Sequence, residues 1–575
     1  MSSDQVAGTD RRRLTMLSLV LTFGFSVLLA QLFRWQVLSH SELQEWAERQ
    51  RRWETEVPST RGYISDANGH IIAMDVVSWD ISVSPPLVMD ADSLADNLAP
   101  LLPIPREELH AKVSQDVAWV PLARRVPQEL GEEIAQLRDS SLTCEPHAAR
   151  VYPAGELASH AIGIVTDTGD GFYGVEGFHD QQLRPVPGKR QTEHGPGGVE
   201  LPIAPLAQDP PREGTSLVLT LDLNIQYIVE QELHSALERY GAKSGTIIVM
   251  KPTTGEILAI ASYPAYDPNT FASTDPKHFA DPAISSMWEP GSAFKVVTWA
   301  AGLDAGVIKP NTKFRDEGKM EVGGRVIRNA DRQAYGLVTM EDGIVHSLNT
   351  VAAYISTSLG KDLFYTYVRR FGFGDLTGVD LSSEGPGMVK YPGDSNWFPS
   401  DLGTNAFGQG IAVTPIQLIT AVSAVANQGL LMQPHIVRQY VTTNELGKIE
   451  RVTEVQPTVV RRAIAQKAAD SVTQMMAQSI EKKIEEARIP GYRVAGKTGT
   501  AQVPTPYGYH PKQTITSFVG FAPADDPQFT ILVKLDQPKS SPWGSHTAAP
   551  TFRAIAERLF VYLKIPPDRV RLAQR

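Results

Sequence analysis

The spacing of hydrophobic residues divides the chain into three regions. Residues 14–33 carry no charged side chain, and this run has about the ~20 residues that a helix needs to cross a bilayer. Residues 39–52 mix charged and apolar positions in the manner of an exposed helix. Short strand-like and helix-like patterns follow. The sequence therefore predicts one membrane-spanning segment followed by a folded α+β part.

The first folded region is expected to span residues 38–215 as a small mixed domain. Asn68 and Gly69 separate two apolar runs, which favours a β-hairpin because both turn residues accept a positive φ. Proline and glycine crowd residues 184–215, so a domain boundary is expected in or just after this stretch. Further predicted elements are a strand at residues 79–84 and helices at 91–101 and 127–137.

The second folded region is expected to span residues 216–567, with residues 568–575 as a tail. Strands are predicted at residues 217–221, 245–250, 256–262, 517–521 and 529–535. Helices are predicted at residues 224–240, 288–305, 413–427, 463–486 and 549–563. Because strands lie at both ends of this region with helices between them, we expect one sheet built from its two extremities.

Basic residues before the apolar run indicate its orientation. Arg11, Arg12 and Arg13 directly precede it, and by the positive-inside rule residues 1–13 stay in the cytoplasm. A cleaved signal peptide is the alternative, but its apolar core usually has only ~7 to 15 residues and is followed by a small-x-small cleavage site. For a cut after Ala30, the first small residue of such a site would have to be Leu28, which is large. We therefore expect residues 14–37 to be an uncleaved, single-pass anchor.

Composition excludes several classes of function. With 42% hydrophobic and 21% charged residues among 575, the chain has the composition of a globular protein with two or more domains. A net charge of −10 gives no attraction to nucleic acid, so no nucleic-acid partner is expected. The single cysteine, Cys144, cannot form an intramolecular disulfide. The 13 histidines show no metal-ligand spacing, so we expect no metal and no cofactor.

Three short motifs carry the candidate chemistry. They are, in order, Ser292-Ala293-Phe294-Lys295, Ser347-Leu348-Asn349 and Lys497-Thr498-Gly499-Thr500. Each motif alone is weak, because S-x-x-K also begins at Ser358 and Ser479, and Lys243-Ser244-Gly245 imitates the third motif. Only the first set runs in the order that is typical of serine β-lactamases and penicillin-binding proteins.

The first motif supplies a nucleophile and a base. Pro290 and Gly291 predict a helix start, so Lys295 is expected on the same face as Ser292 and in contact with it. A lysine can take the serine proton only if burial or nearby positive charge lowers the lysine pKa. Lys497 could supply part of that charge. For an isolated S-x-x-K, the alternative is an exposed turn of helix.

The second motif supplies a proton relay and an amide reader. Ser347 and Asn349 are expected to face one way while Leu348 points into apolar packing. The serine can pass a proton between Lys295 and a leaving amine, and the asparagine can bind a substrate amide with both donor and acceptor. A serine that caps the following helix is the alternative, and His346 is expected to be structural.

The third motif predicts a strand whose glycine allows a ligand backbone to approach. Lys497, Thr498, Gly499 and Thr500 are expected to form a carboxylate-binding rim. The backbone N–H groups of Ser292 and Thr500 are expected to form an oxyanion hole, where loss of one donor typically costs about 2.7–4 kcal/mol. A threonine-rich edge strand without function is the alternative.

With these motifs in place, the chain resembles the class B penicillin-binding proteins, which are monofunctional peptidoglycan DD-transpeptidases. The likeness covers nearly the whole length. It includes Glu289-Pro290-Gly291 before Ser292, Arg61-Gly62, Asp66, Tyr152-Pro153, Gly174-Val175-Glu176, Thr220-Leu221-Asp222 and Gly408-Gln409-Gly410. The stretch Phe518-Val519-Gly520-Phe521-Ala522-Pro523, followed by Ala548-Ala549-Pro550, is most similar to the division-specific branch.

The resemblance implies a multidomain α+β protein. A transpeptidase domain of the serine β-lactamase fold, with a five-stranded antiparallel sheet and helices on both faces, would stand on an elongated pedestal. Ser292 would be the nucleophile, Lys295 the base, Ser347 the relay and Asn349 the amide reader. Lys497 and its neighbours would bind the substrate carboxylate.

The resemblance also implies partners and a location. The substrates would be peptidoglycan stem peptides and lipid-linked precursors, β-lactams would acylate Ser292, and a membrane glycan polymerase and other divisome proteins would be partners. The catalytic domain would lie outside the inner membrane. Four other functions stay open: an elongation-specific transpeptidase, a DD-carboxypeptidase, a non-catalytic penicillin sensor or scaffold, and a secreted β-lactamase. A bifunctional enzyme is disfavoured because no second acidic catalytic cluster is evident before Pro211.

Overall fold

The computed structural model describes residues 3–57, 59–193, 208–444, 447–505 and 508–573. The chain divides into two compact units, one within Met1–Ser59 and Val186–Arg212 and the other formed by Thr60–Pro185 and Glu213–Arg575. The central part of the proline- and glycine-rich stretch expected at residues 184–215 lies outside the described residues. The boundary expected there stays a prediction.

The first unit contains the apolar segment. An α-helix Ser3–Phe33, a π-helical turn Arg34–Leu38 and an α-helix His40–Arg51 follow one another. The segment Arg11–Leu38 contains an 18-residue window with a mean hydropathy of 2.1 and is long and apolar enough to cross a membrane. A small sheet of Arg52–Val57, Gly188–Glu193 and Gln208–Asp209 completes the unit. The predicted apolar helix and the charged helix after it are both confirmed.

A seven-stranded sheet organises the first part of the second unit. Its strands are Ile64–Ser65, Ile71–Val83, Val120–Pro127, Leu142–Val151, Ser216–Leu219, Val437–Thr443 and Ile449–Glu454. The predicted hairpin is confirmed: Ile64 pairs with Ala73, and Asp66 accepts hydrogen bonds from the backbone N–H groups of Asn68 and His70 in the turn. The strand predicted at residues 79–84 is the end of a strand that begins at Ile71.

Helices cover the strands of this region. They are Ala91–Leu98, Arg106–Val113, Gln128–Gln136, Ser159–Ile162, Gly174–Phe178 and Asp180–Leu183, with a 3-10 turn Pro85–Leu87 and a two-residue-strand hairpin Ile164–Val165 and Gly171–Phe172. The first and third match the helices predicted at residues 91–101 and 127–137. The helix Arg106–Val113 was not predicted, because its charged composition hides the two residues that it buries, Leu109 and Val113.

Four charged side chains form a buried cluster, here called the arginine cluster: Arg61, Asp75, Arg150 and Glu176. Glu176 is fully buried and accepts hydrogen bonds from Arg61 Nε and Arg150 Nε, each at 2.8 Å. Asp75 accepts from Arg150 Nη1 at 3.1 Å and from the Arg61 backbone N–H at 2.8 Å. Each buried cation in the cluster therefore has a carboxylate partner, as burial of charge requires.

The remaining part of the second unit is built on a five-stranded antiparallel sheet. In spatial order its strands are Ile257–Tyr263, Ser244–Met250, Phe529–Asp536, Gly508–Ala522 and Ala495–Thr505. Two strands come from the start of the region and three from its end, so the prediction of one sheet built from both extremities is confirmed. The third motif lies on the edge strand of this sheet.

Helices pack on both faces of this sheet. Leu223–Tyr240 and Ala548–Tyr562 bury one face with core residues such as Phe518 and Phe552, and Lys295–Asp304, Pro415–Ala426 and Gln466–Lys482 lie on the other side with the larger core. Local signals set the helix ends: the Asp222 side chain caps the first helix, and Thr414 with Gln417 forms a capping box.

Smaller elements complete the region. The helices are Pro282–Ser285, Met340–Val345, Asn349–Leu359, Lys361–Arg370, Asp401–Asn405 and Asp568–Ala573, with 3-10 turns at Pro268–Ser273, Pro276–His278, Gly291–Phe294 and Glu485–Ala487. Two-stranded ribbons pair Lys313–Asp316 with Gly336–Thr339, Lys319–Val322 with Arg325–Arg328, and Leu430–Met432 with Val459–Arg462. The first two ribbons, here called the ribbon insert, were not predicted.

Candidate active site

The Ser292 turn begins with a glycine that no other residue could replace without strain. Gly291 has φ +54°, and a Cβ built on it would lie 2.5 Å from the carbonyl oxygen of Thr500. Its backbone N–H donates to Gly408 O at 3.1 Å. The turn that carries Ser292 is therefore pressed against the strand that carries the third motif.

Ser292 lies in the 3-10 turn Gly291–Phe294, and Lys295 opens the α-helix Lys295–Asp304. The helix predicted at residues 288–305 is thus wrong in its first part, because proline and glycine tighten the entry. Residues three apart eclipse one another in 3-10 geometry, so Ser292 and Lys295 share a face. Ser292 is partly exposed and Lys295 is fully buried.

The Lys295 ammonium group joins the first motif to the second. Lys295 Nζ donates to Ser347 O at 2.5 Å, to Ser347 Oγ at 3.2 Å and to Asn349 Oδ1 at 2.7 Å. Within the described ranges, no hydrogen bond joins Lys295 Nζ to Ser292 Oγ. The hydrogen bonds of Lys295 Nζ therefore go to the second motif, and the expected contact between Ser292 and Lys295 stays a prediction.

The second motif turns sharply before a helix. Ser347 has φ +56°, Leu348 is buried with 1% of its surface exposed, and Asn349 is the first residue of the helix Asn349–Leu359. The expected burial of Leu348 between two inward-facing polar residues is confirmed. Ser347 does not cap the helix, because Leu348 occupies the N-cap position. The Leu348 side chain makes no capping hydrogen bond.

The third motif lies on the edge strand Ala495–Thr505. Lys497 has 1% of its surface exposed, and its Nζ donates to Thr498 Oγ1 at 3.3 Å. A Cβ on Gly499 would lie 2.7 Å from Pro290 O, so glycine permits the close approach of strand and turn. Thr500 Oγ1 accepts from Gly544 N at 3.2 Å.

The proposed oxyanion donors belong to these two adjacent segments. A Cβ on Gly291 would lie 3.4 Å from Thr500 N, which brings the Thr500 peptide against the turn that holds Ser292. A backbone N–H in such a place costs no reorganisation during a reaction. Thr498 and Thr500 are partly exposed, in keeping with a rim that solvent and ligands reach.

Burial controls the charges of both lysines. Desolvation lowers the pKa of Lys295 well below its usual value, and the nearby positive charge of Lys497 lowers that pKa further. Desolvation lowers the pKa of Lys497 to about 7. The predicted influence of Lys497 on Lys295 is confirmed. A lysine with a depressed pKa is neutral for part of the time near neutral pH and can act as a base.

Sequence reasoning missed a further carboxylate beside the turn. Glu289 accepts hydrogen bonds from Gly410 N at 2.8 Å and from Tyr509 Oη at 2.9 Å. Burial raises the pKa of Glu289. It ties the extended hairpin of the third motif to the residues before Ser292. The only sequence signal was its place in the family motif Glu289-Pro290-Gly291.

The imitating motifs lie elsewhere and hold other bonds. Ser358 is exposed near the end of a helix, Lys482 forms an exposed ion pair with Glu341, and Ser244 Oγ donates to Asp536 on a neighbouring strand. Among the described residues, no group of three or more His, Cys, Asp or Glu is placed to hold a metal ion.

Two family models match the chain. The model for the penicillin-binding protein transpeptidase domain matches residues 245–557, and the model for the penicillin-binding protein dimerisation domain matches residues 56–219. The first match alone covers more than half of the sequence. It also contains all three motifs.

Named relatives extend along nearly the whole chain. Stage V sporulation protein D of Bacillus subtilis is 30% identical and covers 99% of the chain and 88% of the relative. A probable peptidoglycan D,D-transpeptidase of Pseudomonas aeruginosa is 29% identical over 93% of the chain and 92% of the relative. Penicillin-binding protein 3 of Mycobacterium tuberculosis, solved in complex with aztreonam, has a TM-score of 0.68 and 26% identity over 89% of the chain and 98% of that protein.

Proposed function

The chain belongs to the penicillin-binding protein transpeptidase family and is a peptidoglycan D,D-transpeptidase of the class B type, and from that premise we propose that Ser292 is its nucleophile. The observation that carries this proposal is the bonding of Lys295 Nζ to both Ser347 and Asn349, beside a turn packed on the Thr500 peptide. The bonds between the first and second motifs and the packing of the turn on the third motif support a site in which all three segments surround the Ser292 hydroxyl.

In the first half of the reaction, Ser292 Oγ attacks the carbonyl carbon of the penultimate D-alanine of a stem peptide. Neutral Lys295 takes the hydroxyl proton, and Ser347 passes a proton to the nitrogen of the departing D-alanine. The peptide bond breaks and an ester forms on Ser292. General base catalysis of this kind typically contributes about 10²–10⁴-fold to the rate.

In the second half, an amine of a neighbouring stem peptide attacks the ester. The amine loses a proton through Ser347 and Lys295, Ser292 Oγ regains one, and a new peptide bond joins the two stems. The N–H groups of Ser292 and Thr500 stabilise the oxyanion in both halves. Asn349 orients the substrate amide, and Lys497, Thr498, Gly499 and Thr500 hold its carboxylate.

The membrane-anchored arrangement belongs to the same proposal. Arg11, Arg12 and Arg13 favour a cytoplasmic N-terminus, so the catalytic region acts outside the inner membrane on peptidoglycan and its lipid-linked precursors. The pedestal comprises residues 38–215 and the transpeptidase domain residues 216–567. β-Lactams, as mimics of D-alanyl-D-alanine, acylate Ser292 and inhibit the enzyme.

We further propose a role in septal wall synthesis, with a membrane glycan polymerase and other divisome proteins as partners. The division-like C-terminal motifs support it. The relative from Bacillus subtilis is named for a stage of sporulation, which makes a sporulation-specific wall the second candidate. Midcell localisation and filamentation on depletion support division, whereas loss of spores with normal growth supports the second role, and rounding of cells supports elongation.

The nucleophile is tested by intact mass spectrometry after exposure to penicillin, with peptide mapping of the adduct. We expect one stable adduct on Ser292 in the full-length protein and none in Ser292→Ala. Ser358→Ala is the matched control, because Ser358 begins an exposed S-x-x-K and its removal leaves acylation unchanged. Acylation of Ser292→Ala would contradict the assignment, and rapid loss of the adduct as penicilloic acid would indicate a β-lactamase.

Two further measurements separate transpeptidation from its rivals. With an amine acceptor present, a transpeptidase releases cross-linked product, whereas a carboxypeptidase releases free tetrapeptide. Complementation by Ser292→Ala at normal membrane levels would favour a scaffold and overturn the catalytic role.

A further inference from the structure

The side chain of Asn349 is held at both of its polar atoms. Its Oδ1 accepts from Lys295 Nζ at 2.7 Å, and its Nδ2 donates to the backbone carbonyl oxygen of Arg328 at 2.9 Å. Together these contacts fix which way the amide faces. One N–H of the amide is left to donate to a substrate carbonyl, while the oxygen faces the base.

The backbone of Asn349 is held by Asn329, which directly follows Arg328 at the end of the strand Arg325–Arg328. Asn329 Oδ1 accepts from Asn349 N at 3.0 Å and from Thr350 N at 3.3 Å. The helix Asn349–Leu359 has no side-chain cap of its own. Asn329 therefore acts as its N-terminal cap from a distance, satisfying two donors that the helix leaves free.

A buried carboxylate sets the orientation of Asn329. Asp316 Oδ2 accepts from Asn329 Nδ2 at 2.9 Å, which turns Asn329 Oδ1 toward the helix. Asp316 Oδ1 accepts from Thr350 Oγ1 at 2.9 Å, and Gly318 N and Tyr335 N donate to the same carboxylate. Asp316 and Asn329 are 1% and 3% exposed, so neither can reach the substrate from the surface.

We infer that Asn329 and Asp316 are positioning residues for the cross-linking reaction. They lock the second motif so that the Asn349 oxygen meets Lys295 and the Asn349 N–H meets the substrate. The pair acts through Asn349 and touches no reacting atom. The inference rests on the proposed function, because it assigns these residues to the site built around Ser292.

The ribbon insert carries all the residues that position Asn349 in this way. Asp316 ends its first strand, Lys313–Asp316, and Arg328 ends its third strand, Arg325–Arg328. Asn329 follows directly after the third strand. Both contacts to Asn349 therefore come from adjacent residues, the exposed Arg328 and the buried Asn329, at one strand end. A shift of this strand end moves the side chain and the backbone of Asn349 together.

The test compares acylation by a fluorescent penicillin in the full-length protein in detergent micelles. Active sites are titrated first, so that the rate constant refers only to protein able to react. We expect Asn329→Ala to lower the saturating acylation rate constant about 10- to 100-fold, with a smaller change in the concentration that gives half saturation. Lys295 then loses an aligned partner, so the pH dependence of acylation shifts as well.

Asn427→Ala is the matched control. Asn427 also bonds through its amide, to Leu430 O at the end of the helix Pro415–Ala426, but it lies outside the Lys295 network. We expect both variants to lower the melting temperature, and only Asn329→Ala to lower the rate constant per active site. Equal rate constants in the two variants would show that Asn329 has only a structural role.

A paired exchange tests the link between the two positioning residues. Asn329→Asp places a carboxylate against that of Asp316, and we expect acylation to slow as strongly as in Asn329→Ala. Adding Asp316→Asn restores one donor against one acceptor between the two residues, although its NH2 then also faces Tyr335 N, so we expect a partial recovery of the rate constant. No recovery in the double variant would overturn the inferred pairing, whereas loss of penicillin labelling from Ser292 in the wild type would overturn the proposed function itself.

Discussion

Two buried basic sites in the second unit show opposite uses of positive charge. In the arginine cluster, Arg61 and Arg150 both donate to the fully buried Glu176. At the active site, Lys295 and Lys497 are equally buried, but their hydrogen-bond partners are neutral oxygens of Ser347, Asn349 and Thr498. One site balances its charge, and the other leaves two like charges to repel.

The choice of residue matches each use. Arginine keeps its proton under all ordinary conditions and presents a planar fork that suits a carboxylate. Lysine loses its proton readily when it is buried without a counter-ion. The active-site lysines accordingly have lowered pKa values. The arginine cluster, in the region that matches the dimerisation-domain model, therefore pairs its buried charges, whereas the buried lysines of the proposed active site bond to neutral oxygens and have lowered pKa values.

Removal of the base should have the largest effect. In Lys295→Met, Ser292 has no group that can take its proton, so we expect acylation by penicillin to slow by about 10³-fold or more. The measurement is the acylation rate constant with a fluorescent penicillin. Lys361→Met is the control, because Lys361 completes the exposed S-x-x-K that begins at Ser358. A rate within threefold of wild type would show that Lys295 is not the base.

Breaking the balanced site should affect stability rather than chemistry. Glu176→Gln leaves Arg61 and Arg150 without their shared carboxylate, and we expect the free energy of unfolding to fall by about 3–5 kcal/mol. Denaturant unfolding measures this change, with Glu145→Gln as the control, because Glu145 is exposed on the strand that also carries Arg150. The acylation rate per active site should stay close to wild type. A large loss of that rate without a loss of stability would contradict the comparison.

Removing the second active-site charge should stabilise the protein. The pKa of Lys497 is about 7 in the folded state and 10.5 as its ordinary value, so between these pH values the unfolded chain binds a proton that the folded chain does not. Wild-type stability therefore rises with pH across this window, by about 1.4 kcal/mol for each unit of pKa difference at most. We expect Lys497→Met to be more stable than wild type, with the margin greatest below pH 7 and shrinking toward pH 10.5.

Lys534→Met provides the contrast on the same sheet. Lys534 is also buried but is paired with Asp536 at 2.6 Å, so its replacement leaves an unpaired carboxylate and should destabilise the protein.

The pH dependence of acylation supplies a second readout for Lys497→Met. Without the Lys497 charge, the pKa of Lys295 rises, and the acidic limb of the profile moves to higher pH. An unmoved limb would show that the two lysines do not influence each other.

The sequence predicted the main sheet and its helices because their signals are local. Apolar alternation and the Asn68-Gly69 turn act within a few residues, and the caps that the structure shows at Asp222 and Thr414 are equally local. The ribbon insert escaped prediction because its strands of four residues bury about one side chain each. The hydrogen bonds of Asp316 and Asn329 fix the positions of these strands, and they join distant parts of the chain.

The sequence by itself determined which groups could react, since the order of the three motifs and the residue types of Ser292, Lys295 and Lys497 indicate the proposed nucleophile, base and anion anchor. Only the tertiary structure decided how those groups are set. It placed Lys295 against Ser347 and Asn349, without a direct bond to Ser292, and it buried two lysines side by side. Burial and long-range hydrogen bonds depend on residues far apart in the chain, and no local pattern encodes them.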